Sequence, residues 1–248
     1  MELKDLIKKT GPKFLLKYLH QKGYYKAYSP TPGTVNKGDF NRTTPLSNDF
    51  GYDRGGPVDR YYIENFLQKN TDSIKGDVLE IGDNEYTIRY GSRVAKSDIL
   101  HVDDNNPKAT FIGDLSNAPQ LADNSFDCLI LTQTLHCIYD YKSALATCFR
   151  ILKPGGVLLL TSPGLSPIDR GEWGPVWYYA FTKASIQKML SDIFGPDHVD
   201  VESFGNVLVA TSFLYGLGLS EITKKQLDEV DPCYQVIISA KAVKPHTY

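Results

Sequence analysis

The chain has 248 residues, with 27 lysines and arginines against 29 aspartates and glutamates, and a formal net charge of −2. This balance disfavours a general nucleic-acid binder, which usually carries a basic surplus. A hydrophobic fraction of 42% and a charged fraction of 23% are typical of a globular protein with a sizeable core. The sequence has neither an apolar run long enough to span a bilayer nor a signal-peptide core after Met1, and we therefore expect a cytoplasmic protein.

The four cysteines show no CxxC spacing and lie in apolar or helical contexts. They are Cys128, Cys137, Cys148 and Cys233. This usage favours buried free thiols in a reducing compartment over zinc sites or disulfides.

The amino-terminal residues 1–26 carry seven lysines. Their apolar residues recur at helical spacing on both sides of Gly11-Pro12, which predicts two short amphipathic helices. The apolar faces of these helices could pack on the main domain. The alternative is a lysine-rich cap that contacts anionic lipid or an anionic substrate.

Residues 29–57 are rich in glycine and proline and predict a long irregular segment of the kind that often forms a lid. Charged and aromatic residues are concentrated at its end, over 52–62. Pro57 then opens a predicted helix over 57–70. We therefore divide the chain into N-terminal helices with a lid-like loop, 1–56, and a single globular domain, 57–248.

From Asp77 onward, apolar strand patterns alternate with helical ones. Strands are predicted over 78–82, 99–103, 109–112, 126–132 and 157–161, with a helix over 144–152 that ends at Lys153-Pro154-Gly155-Gly156. Further predictions are a helix over 182–194, a strand over 199–204, helices over 206–219 and 220–227, and a strand over 234–240. The alternation predicts an α/β fold with a doubly wound parallel sheet.

Acidic residues lie near or just after the carboxyl ends of the first three predicted strands. Glu80 lies near the carboxyl end of the first strand, before the turn at Gly82, and Asp103 follows 21 residues after that glycine. An acidic side chain at this position can accept hydrogen bonds from both hydroxyls of a ribose. Asp104 is an alternative acceptor at the same corner. Asp114 could contact an adenine amino group or could cap the turn that follows it.

These segments together resemble the class I S-adenosylmethionine-dependent methyltransferases. The matching segments are VLEIG (78–82), HVD (101–103), GDL (113–115), NSFDCLILTQTLHCI (124–138) and RILKPGGVLLLT (150–161). The resemblance implies a Rossmann-like sheet of seven mostly parallel strands with an antiparallel last strand and helices on both faces. It also implies S-adenosylmethionine as the cofactor.

One feature departs from the family pattern. The family usually has a glycine-rich turn after the first strand, and this chain instead has Asp83-Asn84-Glu85 after Gly82. Asn84 could adopt a left-handed conformation in place of a glycine. We expect Gly82, Asp83 and Asn84 to contact the cofactor, and Glu80 to order the loop or the amino-acid end of the cofactor.

A narrower resemblance extends over residues 50–243. The segments DRGGPVDRYYIENFL, GDNEYT, SDILHVDDNNP, WGPVWYYAFT and GNVLVATSFLYG are similar to a methyltransferase subgroup found with glycosyltransferases in surface-polysaccharide clusters. The resemblance implies a sugar hydroxyl as the methyl acceptor. In that subgroup a glycine-poor turn is normal.

Further side chains are expected at the site. His136, after the fourth strand, is the candidate general base, with a locally packed helix-start histidine as the alternative; His101 is interpreted as a structural residue within the second strand. Leu115, Thr132, Gln133, Arg54, Arg60 and Tyr61 are expected to contact the cofactor. The arginines could hold its carboxylate or pair internally with Asp53 or Asp59. Trp173, Trp177 and Tyr178 could stack on a sugar or pack in the core.

The sequence shows no metal-ligand spacing, although Asp103-Asp104 and Asp169 could hold magnesium. We therefore predict an O-methyltransferase that acts on a glycan or another hydroxylated small molecule. The alternative is a catalytically silent methyltransferase-like module that binds a partner or a glycan.

Overall fold

The computed structural model describes residues 12–25 and 28–246. Two compact units are formed, Met1–Thr43 and Thr44–Tyr248. In the first unit, helix α1 (Lys13–Gln21) has no buried residue. The first of the two predicted amphipathic helices lies outside the described residues. Within those ranges, no helix combines the length and the apolar character needed to cross a bilayer.

The second unit is built on one seven-stranded sheet with the order β3-β2-β1-β4-β5-β7-β6. The strands are β1 (Lys75–Ile81), β2 (Arg93–His101), β3 (Phe111–Ile112), β4 (Phe126–Thr132), β5 (Leu152–Pro163), β6 (Val199–Phe204) and β7 (Ile237–Val243). β1 to β5 pair in parallel, and β7 is antiparallel to both β5 and β6. The predicted sheet, including its antiparallel last strand, is confirmed.

Helices cover both faces of the sheet. They are α2 (Val58–Lys69), α3 (Glu85–Tyr90), α4 (Tyr141–Ile151), α5 (Lys183–Phe194), α6 (Val207–Leu214) and α7 (Lys224–Asp228). Alternate residues of the strands point to opposite faces, and Leu129 packs with α4 and α5 whereas Ile130 packs with α2 and α6. Burial on both faces explains the continuous apolar runs of β4 and β5.

Several elements differ from the sequence prediction. β5 begins at Leu152, five residues before the predicted strand over 157–161. β2 begins at Arg93 and ends at His101, whereas the apolar pattern predicted a strand over 99–103. Its first half is polar and is held by backbone pairing with β1, from Lys75 opposite Arg93, so no hydrophobic period marks it. His101 consequently ends its strand and does not lie mid-strand, and Asp103 follows the strand. α3 is a single short helix that the prediction omitted.

The carboxyl-terminal elements are also displaced. α6 ends at Leu214, before Gly216 with φ +74°, and is therefore shorter than the predicted helix over 206–219. β7 begins three residues later than predicted, after the turn that contains Cys233. Cys233 is exposed, unlike the buried thiols of Cys128 and Cys148, which corrects the interpretation of four buried cysteines.

The boundary between the units falls at 43/44, earlier than the predicted 56/57. Residues 44–56 are bound to the segment after α6. The amide of Leu46 donates to the carbonyl of Tyr215 (2.7 Å), and the amide of Leu219 donates to the carbonyl of Gly56 (2.9 Å). These backbone bonds hold the carboxyl-terminal part of the predicted lid-like loop, residues 44–56, against the sheet domain.

Candidate active site

A cavity of about 450 Å³ opens at the carboxyl ends of three neighbouring strands. Ile81 and Gly82 at the end of β1, His101 and Val102 at the end of β2, and Gln133 after β4 form one side of it. Ligands of open α/β sheets bind in crevices at this edge. The cavity therefore lies where the strand pattern predicts a binding site.

The turn after β1 takes its shape from Gly82. This residue has φ +94°, a conformation that strains a residue with a Cβ atom, and a Cβ added there would meet no atom within 4 Å. Asn84 has φ −123°, so the expected left-handed asparagine is wrong. Asp83 accepts a hydrogen bond from the amide of Asn84 (2.6 Å), and the Asn84 side chain donates to Ser97 (3.1 Å).

The Glu80 carboxylate is buried and organises this turn. It accepts hydrogen bonds from the amide of Tyr86 (3.2 Å) and from both the amide and the hydroxyl of Thr87 (2.7 Å each), at the start of α3. Burial raises its pKa to about 7, although these hydrogen bonds oppose the rise. Of the two roles expected for Glu80, these contacts correspond to ordering the loop after β1.

Asp103 follows Val102, which lines the cavity, but is not itself a lining residue, and 41% of its side chain is exposed. Its Oδ1 atom is 3.0 Å from Nδ1 of His101 and accepts from the amide of Asn105, whose side chain donates to Oδ2. Asp104 is exposed. These contacts hold the Asp103 carboxylate in one orientation. Ribose binding by Asp103 stays a prediction.

The residues predicted for the adenine lie outside the cavity lining. Asp114 accepts a hydrogen bond from the amide of Ser116 (2.8 Å), which is the capping role considered as its alternative. Leu115 is buried in the core beside Leu121 and Phe126. In the structure, Asp114 caps the turn that follows it and Leu115 packs in the hydrophobic core.

Residues that follow β4 line the cavity. Gln133 has φ +48°, uncommon for a residue with a side chain and frequent at functional sites. Its amide donates to the carbonyl of Thr161 (2.9 Å) and its side chain to the Thr161 hydroxyl (3.3 Å). Thr134 lines the cavity as well, whereas Thr132, the last residue of β4, does not.

His136 lies in the cavity wall with only 2% of its surface exposed. Its Nδ1 atom has no hydrogen-bond partner among the described residues, and its ring centroid is 4.1 Å from that of Trp177. Burial lowers its pKa to about 4, so the imidazole is neutral at pH 7. A buried polar atom without a partner inside a cavity is available to a ligand.

Aromatic rings form another part of the cavity lining. Trp173 and Trp177 line the cavity, and Tyr178, 47% exposed, does not. Phe50 lies nearly parallel to Trp177, with ring centroids 6.3 Å apart and an interplanar angle of 13°. Asp169 also lines the cavity and accepts a hydrogen bond from the amide of Trp173 (2.9 Å).

The residues predicted near the start of α2 divide into two groups. Arg60 lines the cavity and donates to the hydroxyl of Tyr52 (3.1 Å). Arg54 instead forms an ion pair with Glu221, and Tyr61 donates to Asp228 (2.5 Å). Neither of the last two lines the cavity, and the partner of Arg54 is not one of the two aspartates considered from the sequence.

Several lining residues were not predicted from the sequence. They are Asp49, Phe50, Tyr52, Pro57, Asp59, Ile81, Leu100, His101, Val102, Thr134, Cys137, Ser166 and Phe213. Phe50 has a left-handed conformation, φ +49°, and its neighbour Gly51 was the sole local signal for an unusual turn. Phe213 belongs to the apolar helix α6, whose sequence does not distinguish core from cavity.

The charges of the cavity fit the cofactor that the resemblance implies. Asp49, Asp59 and Asp169 are its carboxylates, and Arg60 is the one lysine or arginine among the described lining residues. An excess of carboxylates suits a ligand that carries a sulfonium and an ammonium group. Among the described residues, no group of three or more histidines, cysteines, aspartates or glutamates is arranged to hold a metal ion.

Comparisons with known proteins agree with this architecture. Residues 82–160 match the family model described as "Methyltransferase domain". The ubiquinone/menaquinone biosynthesis C-methyltransferase UbiE of Pasteurella multocida is 32% identical over 98 residues, which are 38% of this chain and 35% of that protein. The chain thus matches about a third of the length of this curated relative.

Solved structures resemble the whole sheet domain at low identity. A chain of the complex between the Trm112 methyltransferase activator and a methyltransferase of Haloferax volcanii aligns with a TM-score of 0.50 and 16% identity, over 77% of this chain and 92% of that one. A methyltransferase of Mesorhizobium loti aligns with a TM-score of 0.49 and 13% identity, over 76% and 99%. The strand order and the likeness to the Haloferax volcanii complex show a Rossmann-like methyltransferase fold. The match of residues 82–160 to a methyltransferase domain supports an enzyme that uses S-adenosylmethionine.

Proposed function

We propose that this chain is an S-adenosylmethionine-dependent methyltransferase that methylates a hydroxyl group of a sugar or of another hydroxylated small molecule. The observation that carries the proposal is the buried His136, which lines a cavity at the carboxyl ends of the strands and whose Nδ1 atom has no hydrogen-bond partner among the described residues. A general base or hydrogen-bond acceptor is what a hydroxyl acceptor requires, because its own pKa is high.

The cofactor, when bound, supplies a methyl group activated by a sulfonium. The protein then has to align the acceptor with that methyl group and exclude water. We expect Asp103 to hold the ribose and Gly82 to allow close approach of the backbone. The apolar rings of Phe50, Trp177 and Phe213 in the cavity lining would help to exclude water from the reacting atoms.

His136 acts on the acceptor hydroxyl in this proposal. Its pKa of about 4 leaves the imidazole neutral at pH 7 and therefore able to accept a hydrogen bond. The same low pKa makes it a weak base. His136 would first orient the hydroxyl and would take its proton only as the new carbon–oxygen bond forms, when the hydroxyl becomes strongly acidic.

The aromatic wall supports a sugar as the acceptor. The flat faces of Trp173 and Trp177 can stack on the apolar face of a pyranose ring. Asp169, held by the amide of Trp173, can accept hydrogen bonds from neighbouring hydroxyls. The likeness to the subgroup found with glycosyltransferases, over residues 50–243, points to the same class of acceptor.

Two alternative functions can be tested together with this proposal. A catalytically silent module would bind cofactor weakly or not at all. Similarity to a C-methyltransferase makes an activated aromatic carbon a competing acceptor, and the apolar wall of Phe50 and Phe213 would accommodate such a ring.

The first experiment is calorimetric titration of the folded protein with S-adenosylhomocysteine. We expect saturable binding; no heat at high protein concentration would contradict the enzyme proposal. Transfer of a radiolabelled methyl group is then measured with a panel of monosaccharides, nucleotide sugars and oligosaccharides and with a panel of quinols. Labelling of a quinol carbon and of no sugar would replace the O-methylation proposal.

A further inference from the structure

The carboxylate of Asp59 lies at the start of α2 and in the cavity wall. Asp59 is only 9% exposed, and its Oδ1 atom has no hydrogen-bond partner among the described residues. Leaving a buried carboxylate oxygen unpaired is costly. Such an atom, on a residue that lines a cavity, is a candidate contact for a cationic ligand group.

Arg60 presents the opposite charge beside it. Its Nη1 atom is 3.5 Å from Oδ2 of Asp59, and its Nη2 atom donates to the hydroxyl of Tyr52 at 3.1 Å. The Asp59–Arg60 contact uses the second oxygen of Asp59 and leaves Oδ1 unpaired. The cavity wall therefore holds a buried carboxyl group and a guanidinium on consecutive residues.

A position near the amino terminus of α2 does not by itself explain Asp59. A carboxylate in the first turn stabilises a helix through the helix dipole, and an exposed side chain would suffice for that. Burial raises the pKa of Asp59, although the charge of Arg60 and backbone N–H groups at the start of α2 oppose the rise. The protein thus maintains an unfavourably buried acid beside a cavity.

The adjacent turn leaves the amino-acid end of the cofactor without an evident side-chain partner. Asp83 and Asn84 are bonded to the protein itself, and the Glu80 carboxylate is occupied by Tyr86 and Thr87. An α-amino acid carries an ammonium and a carboxylate on one carbon. An anion and a cation fixed on neighbouring residues match this pair of charges.

We infer that Asp59 and Arg60 together bind the α-amino-acid end of the cofactor, with the Asp59 carboxylate accepting hydrogen bonds from its ammonium and the Arg60 guanidinium donating to its carboxylate. The role of Arg60 toward a carboxylate is expected from the sequence. Asp59 and the paired recognition are new, and the inference rests on the proposed function.

The test measures binding, independently of turnover. The probes are S-adenosylhomocysteine, its deaminated and decarboxylated analogues, and 5′-methylthioadenosine, which lacks the whole amino-acid end. Wild-type protein should bind S-adenosylhomocysteine at least about tenfold more tightly than each of the three. Asp59→Asn should remove the preference over the deaminated analogue, and Arg60→Gln the preference over the decarboxylated one.

Glu64→Gln is the matched control, because Glu64 lies on the same helix, pairs with Arg89 and does not line the cavity. It should leave all four affinities within about twofold. An Asp59→Asn protein that is folded and keeps the wild-type preference for the ammonium overturns the inference.

The outcomes also separate the inference from the proposed function. If wild-type protein binds neither S-adenosylhomocysteine nor 5′-methylthioadenosine, the proposed function fails. If it binds both with equal affinity, the function stands and the Asp59–Arg60 inference fails. Wild-type protein alone gives this second result, so the test remains decisive if Asp59→Asn does not fold.

Discussion

The imidazole of His136 packs on the indole of Trp177, with ring centroids 4.1 Å apart and planes inclined by 54°. The contact buries the imidazole on the side of Trp177 while its Nδ1 atom stays without a hydrogen-bond partner in the described part of the chain. The pair joins the candidate base to the aromatic wall. In the proposed function, an acceptor that contacts Trp177 would therefore lie close to His136.

His136 should titrate near pH 4 in the folded, ligand-free protein, because its environment is too dry for the imidazolium. Its pKa falls from 6.5 on folding, so the neutral ring contributes stability above pH 6.5 that is lost as the pH falls through about 4. NMR titration of the imidazole carbon-bound protons measures the midpoint. A midpoint near 6.5 would mean that the ring is solvated.

Replacement of His136 by glutamine should lower the rate of methyl transfer at saturating cofactor by about tenfold or more, since the acceptor hydroxyl loses its partner. The affinity for S-adenosylhomocysteine should change by less than about twofold. Single-turnover kinetics and calorimetry measure the two quantities. Turnover at the wild-type rate would remove His136 from the reaction.

Glu80 should make the protein less stable as the pH rises. Its pKa increases from 4.5 to about 7 on folding, so its stabilising contribution is complete below pH 4.5 and is lost as the pH rises through about 7. Since one pKa unit corresponds to about 1.4 kcal/mol, the effect is at most a few kcal/mol. Urea unfolding of wild-type and Glu80→Gln protein at pH 5 and pH 8 measures it.

The difference in unfolding free energy between the two Glu80 proteins cancels the contribution of other titrating groups. We expect wild type to lose stability relative to Glu80→Gln between pH 5 and pH 8. A difference that is constant over this range would show that the carboxylate is ionised throughout.

Asp103→Asn should weaken binding of S-adenosylhomocysteine by more than about tenfold, because the variant loses the charged acceptor for the ribose hydroxyls. Asp104→Asn is the control at the neighbouring exposed position. Calorimetry of both variants assigns the ribose contact. Equal affinities for wild type and Asp103→Asn, or a larger loss in Asp104→Asn, would move the contact away from Asp103.

Gly218→Ala should detach residues 44–56 from the segment after α6. A Cβ atom at Gly218 would overlap the carbonyl oxygen of Arg54, and backbone has little freedom to move away. We expect a loss of about 1–3 kcal/mol in unfolding free energy and faster proteolysis within 44–56. Ser220→Ala, which removes one hydrogen bond to the same carbonyl, should have a smaller effect.

Apolar periodicity predicted most strands and the α/β class, and the family resemblance supplied the seven-stranded order with an antiparallel last strand. β4 and β6 were predicted with their observed bounds, β4 from a continuous apolar run that is mostly buried and β6 from alternating apolar and polar residues. The first half of β2 was missed, since backbone pairing with β1 stabilises a polar sequence. α3 was missed because it is six residues long and begins where the Glu80 carboxylate accepts its amides, a contact made across the turn.

The cavity itself could be predicted only in part. Gly82, Gln133, His136 and Arg60 were selected from strand ends and charge, and all four line it. Arg54 was selected for the same chemical reason, but its side chain is bound to Glu221, 167 positions away in sequence. Pairings over such distances leave no local signal.

The segment that matches the methyltransferase domain, residues 82–160, supplies fewer than half of the residues that line the cavity. The rest come from 49–60 and Ile81 before it and from 166–177 and Phe213 after it. Substitutions in these flanking stretches can change the acceptor while the strand ends remain as they are. Relatives that share the sheet are therefore poor guides to substrate, and sequence comparison restricted to these flanking stretches is the better way to group proteins by acceptor.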